Sequence, residues 1–170
     1  LILNTEIFNH QYVNREAIVI STPIAGHTDI KAGDTVLVHH NVFRRWHNIK
    51  GIEKNSRSYF DENNYIVSYD QIFLYKRKEN WMVPEGYCFV KPLKATNKFN
   101  IESEKPLQGI VKYSDGTVSV NSLVGFTPNS EYEFIVDGER LYRVLSKFIT
   151  IKYEYQGDEK EYNPSWAKSS

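Results

Sequence analysis

Three histidines, His39, His40 and His47, lie near one another in the chain and carry imidazoles of the kind that ligate zinc. No cysteine or carboxylate stands with them at ligand spacing, so strand-end and loop histidines are the plainer reading and no metal is expected. Just beyond them, Arg44-Arg45-Trp46 with Lys50, Lys54 and Arg57 puts cations around an aromatic ring, with only Glu53 opposing them before Asp61. Such a set can hold phosphates and stack a base. The whole chain, however, balances 21 basic against 21 acidic side chains, formal charge +0, and has no regular row of stacking aromatics, so nucleic acid is disfavoured. A patch complementary to Asp158, Glu159 and Glu161 of a neighbouring subunit is the preferred reading, with Arg44, Arg45, Trp46, Tyr162 and Trp166 as candidate subunit or partner contacts. Cys88, between Tyr87 and Phe89, reads as a core thiol with no histidine nearby to activate it. No glycine-rich phosphate loop, nucleophile elbow or carboxylate pair appears, so neither catalysis nor a cofactor is expected.

The elements that must carry these residues are bounded by composition. At 170 residues, with 41% hydrophobic content and 14% aromatics, the chain can form one domain or two small ones with real cores. One cysteine cannot make an internal disulfide, and Asn163 is followed by Pro164, which cancels the nearest approach to a glycosylation sequon. A reducing compartment, the cytoplasm, is the simplest expectation. The apolar runs are only a few residues long, far short of a membrane span or a signal sequence. The chain begins at Leu1 rather than methionine, which leaves room for a preceding segment.

Residues 30–38, Ile-Lys-Ala-Gly-Asp-Thr-Val-Leu-Val, organise the first half: a Gly-Asp turn feeds an apolar β-branched run that reads as a buried strand. Before it, residues 15–20 read as a strand that stops at Pro23, and residues 4–14 show no periodicity. Residues 39–64 are a basic insertion, after which 65–67 and 72–75 close the unit. The charge run at 76–80 marks a domain boundary, giving a first unit over 1–78, a second over 79–154 and a C-terminal extension over 155–170. The second half repeats the plan. Residues 87–93 read as a strand ended by proline, 96–106 as a polar loop, and 108–113 repeat 16–21. Residues 118–126 and 132–136 continue the sheet, and Asp137-Gly138 makes a hairpin turn into 141–144. Tyr65 aligns with Tyr142, Val67 with Val144, Ile72 with Ile149 and Leu74 with Ile151, a constant offset of 77. Short strands, frequent turns and no amphipathic segment of helical length make the fold class all-β, with each copy a small β-barrel.

These residues resemble a known family. Arg15-Glu16-Ala17-Ile18-Val19-Ile20, Ile30-Lys31-Ala32-Gly33-Asp34-Thr35-Val36-Leu37-Val38, Tyr65-Ile66-Val67 and Asp70-Gln71-Ile72-Phe73-Leu74 look like successive strands of GroES-type co-chaperonins. The Lys-X-Gly-Asp-X-Val turn and the closing Asp-Ile-Leu-Ala-like strand are the clearest marks. In the second half, residues 86–91, 109–112, 124–126 and 148–151 look like the same series, so the chain resembles the tandem, double-domain form. The resemblance implies two GroES-like barrels, the first lacking an opening strand of its own.

It also implies a function. Family members cap a chaperonin ring as homo-oligomers, docking an aliphatic tripeptide of a flexible loop into an apolar groove, and Leu1-Ile2-Leu3 falls at the right distance before Arg15-Glu16-Ala17 to be that tripeptide. Burying each such side chain yields roughly 1.5–3 kcal/mol, while ordering the loop costs about 1–2 kcal/mol per residue, so one loop binds weakly and a ring of them binds by avidity. Two alternatives stay open from the residues themselves. Leu1, Ile2 and Leu3 can equally begin a core strand, and the same β-units can serve as a structural part of a larger assembly, such as a viral particle, in a host cytoplasm or a virion.

Overall fold

The computed structural model describes residues 15–95, 104–154, 157 and 159–162. The fold is all-β, and the chain divides into two compact units, Leu1–Pro84 and Glu85–Ser170. Among the described residues no helix is long and apolar enough to cross a membrane.

In the first unit four antiparallel strands lie in the order β1 (Glu16–Ile18), β2 (Thr35–Val38), β5 (Ile72–Arg77), β6 (Asn80–Met82). A separate hairpin, β3 (Arg45–His47) with β4 (Glu53–Asn55), rises from the 39–64 insertion. The chain enters β2 through a turn that needs a left-handed residue, and Gly33 supplies it at φ +91°. Gly33 N–H donates to the Val19 carbonyl (2.8 Å) and Val19 N–H to the Asp34 carbonyl (2.9 Å), so the turn and β1 hold one another. Asp34, only 4% exposed, accepts from Lys31 N–H (2.8 Å), from Arg77 Nε (2.9 Å) and from Arg77 Nη2 (2.7 Å). Arg77 also donates to the Asp29 carbonyl (2.7 Å), which ties the start of β2 to the end of β5. The charge run read as a domain boundary is instead a hairpin: β5 pairs with β6 across Lys78, at φ 63°, and Trp81 and Met82 belong to the first unit.

The second unit is one antiparallel sheet in the order β10 (Glu131–Val136), β11 (Glu139–Leu145), β7 (Tyr87–Lys94), β8 (Glu104–Ser114), β9 (Leu123–Phe126), β12 (Ile149–Tyr153). Asp137 (φ 48°) and Gly138 (φ 75°) form the two-residue turn of the β10–β11 hairpin, as the Asp-Gly pair predicts. Pro92 does not end β7, which runs on to Lys94. The pairing of β11 with β7 stops at Val90, so the ladder donor that proline lacks falls beyond it. Residues 104–106, read as loop, already belong to β8, and residues 118–122 form a turn rather than strand. Among the described residues neither sheet closes on itself: β1 and β6, and β10 and β12, remain as edges.

The two units share one three-stranded plan, register for register. Strands β1-β2-β5 and β8-β9-β12 have the same order and sense. Glu16↔Leu37, Ala17↔Val36 and Ile18↔Thr35 correspond to Gln108↔Gly125, Gly109↔Val124 and Ile110↔Leu123. Both closing strands carry an irregularity at the same place, after Ile72 and after Ile149. Each is preceded by a 3-10 turn, Tyr69–Gln71 or Ser146–Phe148, whose last carbonyl accepts from His39 N–H (2.8 Å) or Thr127 N–H (3.1 Å). The Gly33 turn has its counterpart at Asn121, φ 64°, whose N–H donates to the Val111 carbonyl (2.8 Å). The cores match as well: Val19, Ile30, Val36, Val38, Tyr65, Val67 and Ile72 correspond to Val111, Val118, Val124, Phe126, Tyr142, Val144 and Ile149.

The Asp34 clamp gives the first unit an acid dependence. The Arg77 hydrogen bond holds the Asp34 carboxyl below its ordinary value of 3.8, against the opposing effect of burial. A depressed folded-state pKa means that the clamp stabilises fully above pH 3.8 and is lost as the pH falls through the lower folded value. Asp34→Asn should lower stability at pH 7 by about 1–3 kcal/mol and flatten the acid limb of the stability curve, measured by urea unfolding from pH 2 to 7.

Candidate protein-docking surfaces

Leu1, Ile2 and Leu3 lie outside the described residues, as does Trp166. What the fold fixes is the point at which residues 1–14 join the sheet. Arg15 is buried, 6% exposed, and its carbonyl accepts from Val38 N–H at 2.9 Å. Residues 96–103 precede β8 in the chain, and the residue that follows them is held by a part-buried polar cluster. Glu104 accepts from Arg140 Nη1 (2.5 Å) and from the Tyr142 hydroxyl (2.5 Å), while Arg140 Nη2 donates to that hydroxyl (2.6 Å). Arg140, 8% exposed, also pairs with Glu133 through Nε (3.3 Å) and lies over the rings of Tyr142 and Tyr162. Burial works against its charge, but the Glu104 hydrogen bond and the charges around it outweigh that and raise its pKa. Burial, then the Glu104 bond, pushes the Tyr142 hydroxyl upward too. Sequence reasoning missed this cluster. Arg140 and Tyr142, two apart on one strand, share a face and were readable, whereas Glu104 sat in what looked like a loop.

The basic insertion is built from a short base and an exposed hairpin. The 3-10 turn His40–Phe43 buries Val42 completely, and Ser56 Oγ donates to the Val42 carbonyl (2.5 Å). Above it, Arg45↔Asn55, Trp46↔Lys54 and His47↔Glu53 pair, and Asn48 Oδ1 accepts from Lys50 N–H (2.9 Å) and Ile52 N–H (3.0 Å) to shape the tip. The structure brings Arg44, Trp46 and Lys54 together: the Arg44 guanidinium lies 5.3 Å from the Trp46 ring centroid, and Lys54 stands opposite Trp46. It separates Arg45, whose hydrogen bond to Tyr65 raises its pKa. Ile49 at the tip is fully exposed and Ile52 half-exposed. Arg44 and Lys54 thus stand by a single aromatic ring, and the apolar Ile49 is exposed at the tip.

The described end of the C-terminal extension, residues 159–162, lies against its own unit. Lys94 N–H donates to the Lys160 carbonyl (2.7 Å) and Tyr162 N–H to the Pro92 carbonyl (2.8 Å), so residues 160–162 lie along the edge of β7 that β11 leaves. Lys112 Nζ pairs with Glu161 at 2.5 Å. Within the unit Glu161 thus pairs with Lys112, and Tyr162 lies beside Arg140, whose guanidinium is 5.8 Å from its ring centroid.

No family model, curated protein or solved structure matches this chain. The functional reading therefore rests on the geometry and on the duplication. Among the described residues no three His, Cys, Asp or Glu side chains gather to hold a metal ion. His39 and His40 stack on one another at 4.3 Å, and His39 Nδ1 accepts from Asn41 N–H at 3.1 Å. Cys88 is fully buried in the second core, its thiol 3.6 Å from the Val144 carbonyl.

Burial pushes the Cys88 thiol up to about 12, with Asp115 adding to the rise, so almost none of it is the reactive thiolate at neutral pH. Labelling by a water-soluble disulfide reagent at pH 8 should be at least about a hundredfold slower in the native protein than in urea. Comparable rates in the two states would show that the second core is open.

Proposed function

We propose that the protein is a co-chaperonin-like cap of two GroES-like barrels that docks on a chaperonin ring through Leu1, Ile2 and Leu3. The observation that carries this reading is the register-level duplication of β1-β2-β5 in β8-β9-β12, each copy entered through the same turn and closed through the same 3-10 turn and irregularity. A tandem of one small β-unit is what the resemblance implies. Docking needs a segment that leaves a rigid scaffold at a fixed point, and the buried Arg15 provides one by anchoring the end of residues 1–14. A weak aliphatic contact repeated around a ring then gains by effective concentration. The protein binds no nucleotide and performs no chemistry in this reading.

A second reading is favoured by a different observation. Of the eleven large apolar side chains that stand exposed among the described residues, nine belong to the first unit, Ile18, Ile20 and Ile24 among them. Were these side chains to lie together they would form an interaction surface, so an assembly subunit, for example of a viral particle, is the competing class. Size-exclusion chromatography with light scattering separates the two. Mixed with a chaperonin ring and nucleotide, the protein should co-elute with the ring, and a Leu1→Ala, Ile2→Ala, Leu3→Ala variant should lose co-elution while keeping its own size. Self-assembly without co-elution would overturn the co-chaperonin reading in favour of the assembly subunit.

A further inference from the structure

The β3–β4 hairpin sorts its side chains by face. In an antiparallel ribbon opposite residues share a face and successive pairs alternate. Arg45 and Asn55 therefore lie with His47 and Glu53, while Trp46 and Lys54 lie on the other side. Asn48 N–H donates to the Ile52 carbonyl (2.9 Å), which extends the ribbon by one pair and puts Ile52 on the Trp46 face. One face is thus wholly polar. The other carries Ile52, Trp46 and Lys54, with the Arg44 guanidinium 5.3 Å from the Trp46 ring centroid, and leads to Ile49 and Lys50 at the tip. The ribbon stands clear of its unit on both sides, since every residue of both strands is exposed. Ile49 is fully exposed, Ile52 53% and Trp46 38% exposed. A two-stranded ribbon is marginally stable at best in water, and large apolar side chains left in solvent add little to it.

We propose that this hairpin is a peripheral membrane-docking element whose tip enters the headgroup region of an anionic lipid bilayer, with Ile49 leading. Charge complementarity sets the sign of the surface. Residues 44–57 hold Arg44, Arg45, Lys50, Lys54 and Arg57 against Glu53 alone, and Glu53 lies on the polar face. The neutral chain exerts no long-range pull, but the Debye length is about 8 Å in physiological salt, so only charges close to the contact act there. The order of side chains along the ribbon selects a bilayer over an acidic protein or a nucleic acid. Ile49 is outermost, and Lys50 beside it can follow with its alkyl stem while its ammonium reaches back to the phosphates. The Trp46–Lys54 pair lies three residues behind Ile49, about 10 Å at roughly 3.3 Å per residue. Apolar groups of interfacial elements sink about 5–10 Å, which leaves the indole at the level where tryptophan is enriched, with Arg44 and Lys54 beside it. A protein partner would need a pocket cut for a protruding tip, and a bilayer needs none. This inference does not depend on the chaperonin reading, because it concerns the hairpin and not Leu1, Ile2 and Leu3.

The test is flotation of the full chain with vesicles of phosphatidylcholine, alone or with about one-third phosphatidylserine, at about 0.1 M salt and again at about 0.5 M. The protein should float with the anionic vesicles only, and high salt should release it. Ile49→Ser should weaken binding about tenfold or more, and Lys54→Glu about fivefold or more, both at exposed positions that leave the core intact. Lys147→Glu, an equal change of charge at an exposed position of the second unit, should leave it unaltered. No flotation with anionic vesicles at low salt, equal flotation with both kinds, or binding indifferent to Ile49→Ser and Lys54→Glu would overturn the proposal. A loss just as large with Lys147→Glu would overturn the assignment to the hairpin. Tighter binding to a labelled RNA or to polyglutamate at the same salt, weakened by Lys54→Glu but not by Ile49→Ser, would overturn the bilayer in favour of a nucleic acid or an acidic protein.

Discussion

The turn that delivers the chain into β2 is the constraint on which the first unit depends. Its backbone must pass through the left-handed region, which Gly33 does without a steric penalty, and its carbonyl and amide groups then lock onto Val19. Register follows from that lock. With Val19 fixed against Asp34, Ile18 must face Thr35 and Ala17 must face Val36, and a slip of one residue would turn Val36 and Val38 out of the core. The second unit reaches the same geometry with Asn121 and Ser122, without an ion pair at that position. The backbone path is thus the common requirement, and the Asp34–Arg77 clamp is an addition of the first unit that fastens the turn to β5.

Much of this was legible in the chain because the signals were local. Gly33-Asp34 and Asp137-Gly138 announce turns through the backbone conformations they allow, and alternating Val and Ile residues announce which side chains point inward. The offset of 77 between Ile72 and Ile149 survived in the structure because the 3-10 turn and the irregularity beside it were copied along with the strand. What could not be read was non-local. Pro92 looked like a strand end because only the pairing of β11 with β7 shows that its missing donor is not needed there. Glu104 looked like loop because its partners, Arg140 and Tyr142, come from a hairpin more than thirty residues away. The run at 76–80 looked like a linker because its charges are those of an exposed hairpin as much as of a connection between domains.

Duplication followed by divergence explains the distribution of apolar surface. Seven core positions kept apolar or aromatic side chains in both units, since each faces inward in the shared three-stranded plan. Positions that face β7 followed a different course. In the second unit they remain Val111, Val144 and Ile110 around Cys88, Val90 and Leu93, and Glu104, Arg140 and the residues 160–162 close the surrounding polar surface. In the first unit Leu123 and Tyr153 are replaced by Thr35 and Lys76, so the face around Ile18 has become polar while Ile18 and Ile20 have not. Drift on a solvated face would be expected to remove exposed isoleucines along with their neighbours, because an edge that keeps them is prone to unwanted pairing. Ile18 and Ile20 stand 70% and 73% exposed beside this polar face.

The basic hairpin fits the same economy of parts. Arg44, Trp46 and Lys54 stand together on an element that contributes only Val42 and its neighbours to the core, so the hairpin can vary without cost to the fold. For a nucleic-acid backbone this hairpin is poorly equipped, since its single Trp46 ring offers one stacking position and the chain's net neutrality offers no long-range attraction. Each surface of the first unit, taken alone, buries little. Were several copies to present the Arg15-anchored segment or the hairpin tip at Ile49 together, each further contact would be made at the high local concentration set by the first.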